Sequence, residues 1–161
     1  MRAVALSLAL LLAGCGLRPL YSGGSSGVVA QTLSGIEVAP IQGKTGYLVR
    51  TALLDRLGAQ ADGAVRYRLQ IELDDRIEGF GVRADDSVTR ERRTLRSRYQ
   101  LVDAATGETV IDATAGSDAG IDVVSSEYAT VAAENTAVER LAAIMADQIV
   151  GRIALYASRS R

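Results

Sequence analysis

The chain has 161 residues, with 18 basic and 19 acidic side chains and a formal net charge of −1 at pH 7. This charge balance argues against a general nucleic-acid binder, and a hydrophobic share of 48% is typical of a folded domain rather than a disordered one. Histidine is absent and Cys15 is the only cysteine, so the commonest general base, the commonest metal ligand and an internal disulfide are all excluded.

The N-terminus has the form of an export signal. Arg2 precedes an almost uninterrupted apolar run from residue 3 to residue 13, which is shorter than the roughly 20 residues that a membrane span needs. The run ends in Leu12-Ala13-Gly14-Cys15, which resembles the lipobox of bacterial lipoproteins. We therefore expect residues 1–14 to be a lipoprotein signal peptide and Cys15 to be the acylated mature N-terminus. The alternative is an ordinary signal peptide followed by an incidental cysteine.

A stretch rich in glycine and serine, Ser22-Gly23-Gly24-Ser25-Ser26-Gly27, follows. Such a composition is typical of a flexible linker. It predicts that residues 15–33 form a lipidated N-terminus and tether, and that residues 34–161 form a single α/β domain.

The first elements of that domain are short. Ile36–Ala39 alternates apolar and polar side chains before Pro40, which predicts a strand. From Lys44 to Gly58 apolar residues recur at intervals of four, which predicts a helix with Gly58 at its end.

Strict alternation from Val65 to Ile77 predicts an antiparallel strand with one buried face, and Asp75 is the only polar residue at an apolar position. A third strand is predicted from Val88 to Val102, a hairpin turn over Asp103–Gly107 and a fourth strand over Glu108–Thr114.

A looser stretch is predicted over Gly116–Ser126, followed by a long helix from Glu127 to about Tyr156. The element order is then β-α-β-β-β-α. This order predicts an α+β fold, a two-layer sandwich in which a mostly antiparallel four-stranded sheet packs on two helices.

One face of the predicted sheet is rich in arginine. Arg90, Arg92, Arg96 and Arg98 occupy one side of the third strand, and the polar side of the preceding strand adds Arg66, Arg68 and Arg76. Arginines in a row can hold phosphates or anionic sugars through bidentate hydrogen bonds. The alternative is a solvated face whose arginines pair with Glu72, Asp74 and Glu78.

No arrangement of residues indicates catalysis. There is no nucleophile with a base, and the neighbours Asp74 and Asp75 point to opposite faces of a strand. Asp85 and Asp86 lie in a predicted turn, and no phosphate loop or zinc pattern is present. We expect a non-enzyme without a cofactor or a metal.

Several segments together resemble the lipopolysaccharide-assembly lipoprotein family (LptE-like), in its alphaproteobacterial form. The mature start Cys15-Gly16-Leu17-Arg18-Pro19-Leu20-Tyr21 is similar to that of the family, although an aromatic residue is common where Leu17 stands. Later similarities are Thr89-Arg90, Tyr99-x-Leu101 with Asp103–Gly107, Ser126-x-Tyr128-Ala129, and Ala133, Ala137, Arg140, Ala146, Asp147 and Ile149 in the last helix.

The resemblance implies an outer-membrane lipoprotein, anchored by its lipid on the periplasmic side. Members of the family plug and help to assemble the LptD β-barrel and take part in lipopolysaccharide transport to the outer leaflet. The implied partners are LptD, lipopolysaccharide and, through the lipid, the membrane, but no nucleic acid. The arginine face would then meet phosphates of lipid A or the acidic lumen of the barrel. An alternative function is that of an auxiliary lipoprotein in a phospholipid transport system.

Overall fold

A computed structural model describes residues 27–58, 65–82 and 88–159 of the chain. The predicted signal peptide, Cys15 and the predicted turn with Asp85 and Asp86 lie outside these ranges. The elements, in chain order, are α1 (Val28–Ser34), β1 (Ile36–Val38), α2 (Gly43–Leu57), β2 (Tyr67–Val82), β3 (Val88–Asp103), β4 (Thr109–Asp122) and α3 (Glu127–Arg159).

The four strands form one sheet in the order β1-β2-β3-β4. β1 runs parallel to β2, and the other two pairings are antiparallel. The predicted α+β class and the mainly antiparallel four-stranded sheet are confirmed, with one more helix than the sequence pattern indicates.

The core lies between the helices and one face of the sheet. The odd-numbered residues of β2 and β3 point to it, so that Leu69, Leu95 and Leu101 are fully buried. They pack with fully buried residues of the helices: Val49 and Leu53 of α2, and Leu141, Met145, Ile149 and Ile153 of α3. By length and hydropathy α3 could span a membrane, but 50% of its most apolar window is buried in this core.

The additional helix, α1, overlaps the end of the predicted tether. Val29, Thr32 and Leu33 are buried, and the helix packs against α3. A seven-residue helix is unstable alone, so this contact with α3 is what holds it. The structured part of the chain thus begins before residue 34, where the domain boundary is predicted.

β4 is much longer than predicted, because Gly116–Ser126 is not a loose stretch over most of its length. The strand continues to Asp122, which pairs with Arg90 of β3. At Gly116 a Cβ atom would lie only 2.6 Å from the carbonyl oxygen of Leu95, so glycine is needed for the close approach of the two strands. Small residues fill this half of β4, and they give little hydrophobic signal.

Asp75, the exception in the alternation of β2, faces the helices together with Arg93 of β3. Arg93 donates two hydrogen bonds to the Asp75 carboxylate, at 2.9 and 2.6 Å, and the Thr45 hydroxyl of α2 donates a third at 2.7 Å. Arg93 also donates to the carbonyl oxygen of Glu134 in α3, at 3.2 Å. The pair therefore ties β2, β3, α2 and α3 together, and the bond from Arg93 holds the pKa of Asp75 below its ordinary value.

We expect Asp75→Ala to lower the free energy of unfolding by about 2 kcal/mol, because it leaves the largely buried Arg93 guanidinium without its carboxylate. The measurement is urea unfolding at pH 7. The matched control is Asp74→Ala, which removes the solvent-exposed pair with Arg76 and should cost at most about 0.5 kcal/mol.

The effect of Asp75→Ala also depends on pH. Because the folded-state pKa of Asp75 is lowered, its contribution is complete above the unfolded-state pKa, ordinarily 3.8, and is lost as the pH falls through the folded-state value. Equal losses for the two variants at pH 7 would contradict a structural role for the Asp75–Arg93 pair.

Candidate functional site: the open face of the sheet

The face of the sheet that points away from the helices is the candidate site, and we call it the open face. It carries the even-numbered residues of β2, β3 and β4. The register places Arg96 between Asp74 of β2 and Gly116 of β4, and Arg98 between Glu72 and Thr114. Four of the predicted arginines, Arg90, Arg92, Arg96 and Arg98, therefore line one strand, as the sequence predicts.

Most of these arginines have carboxylate partners, and the partners come from β4. Arg98 donates two hydrogen bonds to Asp112, at 3.1 and 2.8 Å, while Arg96 bonds Asp118 at 2.9 Å and Arg90 bonds Asp122 at 3.0 Å. Three aspartates spaced along one strand thus face three arginines on its neighbour.

Asp112 is the most strongly held of these aspartates. Hydrogen bonds from Arg98, and then from Gln100, lower the pKa of its carboxyl from 3.8 to about 2. The same bond raises the pKa of Arg98. Both groups are therefore charged throughout the range in which the protein is expected to work.

The acidic residues of β2 contribute less than the sequence suggests. Asp74 bonds Arg76 on its own strand at 2.9 Å, and Arg68 bonds Glu37 of β1 at 3.0 Å. Glu72 and Glu78 form no ion pair with another described residue. Most arginines of the open face are thus paired, as the alternative of a solvated face predicts. Most of their partners, however, come from β4 or β1 and not from β2.

Two of the six predicted ligand-binding arginines, Arg92 and Arg66, have no carboxylate partner among the described residues. The Arg92 guanidinium lies 5.3 Å from the centre of the Phe80 ring, and that of Arg90 lies 5.9 Å from it. Arg66, at the other end of the sheet, lies 6.0 Å from the ring of Tyr67. Arg92 and Phe80 therefore form an exposed cationic and aromatic unit.

A groove of about 880 Å³ crosses the middle of the open face and reaches the free edge of β4. At that edge the Gln148 side chain of α3 accepts a hydrogen bond from the Gly116 N–H at 2.9 Å and donates one to the Gly116 carbonyl at 3.2 Å. The charged lining residues are Glu72, Asp74, Arg96, Arg98 and Asp118.

Five residues of the open face and its edge were not predicted from the sequence: Asp112, Asp118, Asp122, Phe80 and Gln148. The aspartates and glycines of β4 do alternate with isoleucine and alanine from residue 111 to residue 122, so a period of two would have found the three aspartates. Phe80 lies beyond the predicted end of its strand. Nothing in the sequence pairs Gln148 with Gly116, which lies 32 residues away.

The open face has the charges needed to bind anionic groups. Exposed ion pairs contribute only about 0–1 kcal/mol each, so a phosphate or a carboxylate of another molecule can replace an aspartate at little cost. Within residues 27–58, 65–82 and 88–159, no group of three or more histidine, cysteine, aspartate or glutamate side chains is placed to hold a metal ion.

Comparison with known proteins identifies relatives of this fold. A family model named LptE, described as lipopolysaccharide-assembly, matches residues 33–153. A comparison with curated protein sequences gives no match.

Solved structures of bacterial lipoproteins share the fold. A Caulobacter crescentus protein assigned as a lipoprotein superposes with a TM-score of 0.68 at 26% identity, covering 82% of this chain and 97% of its own. Rare lipoprotein B of Shewanella oneidensis gives 0.58 at 11% identity, covering 75% and 92%. A minor lipoprotein of Acinetobacter baumannii gives 0.56 at 14% identity, covering 75% and 89%.

Proposed function

The chain belongs to the LptE family of lipopolysaccharide-assembly lipoproteins, and from this we propose that it plugs and helps to assemble the LptD β-barrel of the outer membrane. In that position it takes part in the transport of lipopolysaccharide to the outer leaflet. It acts as a binding subunit and not as an enzyme.

The observation that best supports a plug is the open face itself. Outer-membrane barrels have polar interiors, so a domain that fills one must present polar groups to its wall without leaving charges unpaired. The open face does this for most of its arginines, since three aspartates of β4 neutralise three arginines of β3. A barrel wall with a few charges of either sign could exchange partners with such a surface.

Lipopolysaccharide itself would bind where a cation is free. Arg92 has no carboxylate partner among the described residues and lies beside Phe80, a residue that is 38% exposed. A phosphate of lipid A would accept hydrogen bonds from the Arg92 guanidinium. Arg66, Arg68, Arg90, Arg96 and Arg98 would provide further contacts, those with aspartate or glutamate partners by exchanging them.

The anchor would hold the domain on the periplasmic side of the outer membrane. Acylated Cys15 would supply it, because each buried CH₂ group contributes about 0.8 kcal/mol and several acyl chains give durable attachment. Since α1 begins at Val28, the chain between Cys15 and the folded domain is shorter than the sequence suggests.

We expect mass spectrometry of the mature protein to find an acylated Cys15 at its N-terminus, and Cys15→Ala to abolish this species. Ser25→Ala, in the same segment, is the control and should leave acylation unchanged. A mature protein that begins at another residue, or an unmodified Cys15, would contradict the proposed anchor.

We expect the charge reversal Arg92→Glu to weaken lipopolysaccharide binding by about tenfold, since it replaces a charge-assisted hydrogen bond by repulsion. Arg96→Glu should also weaken binding, and it places a second carboxylate beside Asp118. The measurements are binding of purified lipopolysaccharide and recovery of LptD with the tagged protein.

Arg140→Glu provides the matched control for this pair of variants, because it is an exposed arginine of α3 in the other layer. If Arg92→Glu and Arg96→Glu fold normally and change neither binding nor LptD recovery, the open face is merely solvated.

A further inference from the structure

A second group of arginines without carboxylate partners among the described residues lies in the helical layer, at the C-terminal end of α3. Arg152 and Arg159 are seven residues apart, which places them on the same side of the helix, about 10 Å apart along its axis. Both are exposed, and neither forms an ion pair with any residue in the described ranges.

These two arginines line a cleft of about 270 Å³ between α3 and β4. Its other walls include Val110, Asp112, Leu155 and Tyr156. Asp112 does not oppose an incoming anion strongly, because both of its oxygens already accept hydrogen bonds from Arg98 and Gln100. The cleft is therefore a cationic site with an apolar wall.

The cleft lies at the end of the molecule from which the chain runs back to Cys15. Tyr156 in its wall contacts the ring of Tyr67, with centroids 6.4 Å apart, and the Tyr67 N–H bonds the carbonyl of Gly35, just after α1. α1 has seven residues and so is about 10 Å long, whereas α3, with 33 residues, is about 50 Å long. Val28, the first residue of α1, therefore lies within about 10 Å of Gly35, at the same end of the molecule as the cleft.

Exposed apolar side chains accompany the arginines at this end. Leu155, in the wall of the cleft, is 42% exposed, and Val28 and Val65 are 43% and 42% exposed. Val28 opens α1, and Val65 precedes Arg66, whose N–H also bonds the Gly35 carbonyl. Arginine beside exposed aliphatic side chains is the combination that favours the interface of an anionic membrane.

We propose that this cleft binds the phosphate headgroup of an anionic phospholipid in the leaflet to which the chain is anchored. The thirteen residues from Cys15 to Gly27 would span about 20 Å as a random coil, so an acylated Cys15 brings the cleft within reach of the bilayer surface. Arg152 and Arg159 hold the phosphate and Leu155 contacts the lipid beneath it. The proposal rests on the anchor proposed above, and it does not depend on binding of LptD or lipopolysaccharide at the open face.

The test uses the mature chain, residues 15–161 with Cys15→Ala, so that acyl chains do not dominate binding. It is mixed with vesicles of phosphatidylethanolamine and phosphatidylglycerol at a ratio of 3:1, and with vesicles of phosphatidylcholine alone, and the bound fraction is measured by sedimentation. We expect binding to the anionic vesicles only. Arg152→Gln and Arg159→Gln should each weaken it about fivefold, since one basic side chain near an anionic surface contributes about that factor.

Arg140→Gln is the matched control, because it removes the same charge from an exposed position of the same helix. Arg140 lies about 18 Å from Arg152 along the axis, beyond the Debye length of about 10 Å at 0.1 M salt, and should change vesicle binding little. Thermal unfolding of each variant reports any loss of the favourable interaction between these arginines and the C-terminal end of α3.

Three results would overturn the proposal. The first is that the protein does not bind anionic vesicles. The second is that Arg140→Gln loses as much vesicle binding as Arg152→Gln and Arg159→Gln. The third is that inorganic phosphate perturbs Arg152 and Arg159 while vesicles do not bind, which would identify a site for free phosphate. Failure of the barrel proposal is separable, because it would appear as absence of LptD from the purified protein while vesicle binding persisted.

Discussion

The alternation of side chains along β2, β3 and β4 is the constraint on which the rest of this protein depends. A strand has only two faces, and here every strand gives one to the helices and the other to its surroundings. The buried leucines and isoleucines on the odd-numbered side must be covered from water, and α2 and α3 cover them. The same periodicity places the arginines on the open face, so the core and the candidate site are two consequences of one pattern.

Most arginines of the open face are neutralised within the protein itself, and their exposed ion pairs can still be exchanged for contacts with another molecule. Aspartates of β4 neutralise the arginines of β3, which avoids the repulsion that a row of like charges on one strand would produce. Arg92, stacked on Phe80, and the Arg152–Arg159 cleft depart from this pattern. The two proposed surfaces, one for lipopolysaccharide on the open face and one for phospholipid at the C-terminal end of α3, would suit a lipoprotein that works between a barrel and a membrane.

Sequence patterns predicted the parts of the fold that strong periodicity specifies. The alternation in β2 and β3 and the apolar spacing in α2 and α3 were enough for the fold class and for the face that carries the arginines. They were insufficient where burial depends on partners distant in the sequence. The second half of β4 consists of small residues, α1 packs against α3, and Asp75 takes a position facing the helices because Arg93 lies beside it. The identities of the arginines' partners depend on strand register, which the sequence alone did not supply.

We propose that this lipoprotein is needed to fold LptD and to bring lipopolysaccharide to the cell surface. Depletion of the protein in its own host, followed by quantification of surface lipopolysaccharide and of folded LptD in outer membranes, tests it most directly. We predict that both amounts fall together, and that the wild-type gene restores them. Unchanged amounts of folded LptD and of surface lipopolysaccharide after complete depletion would contradict the account.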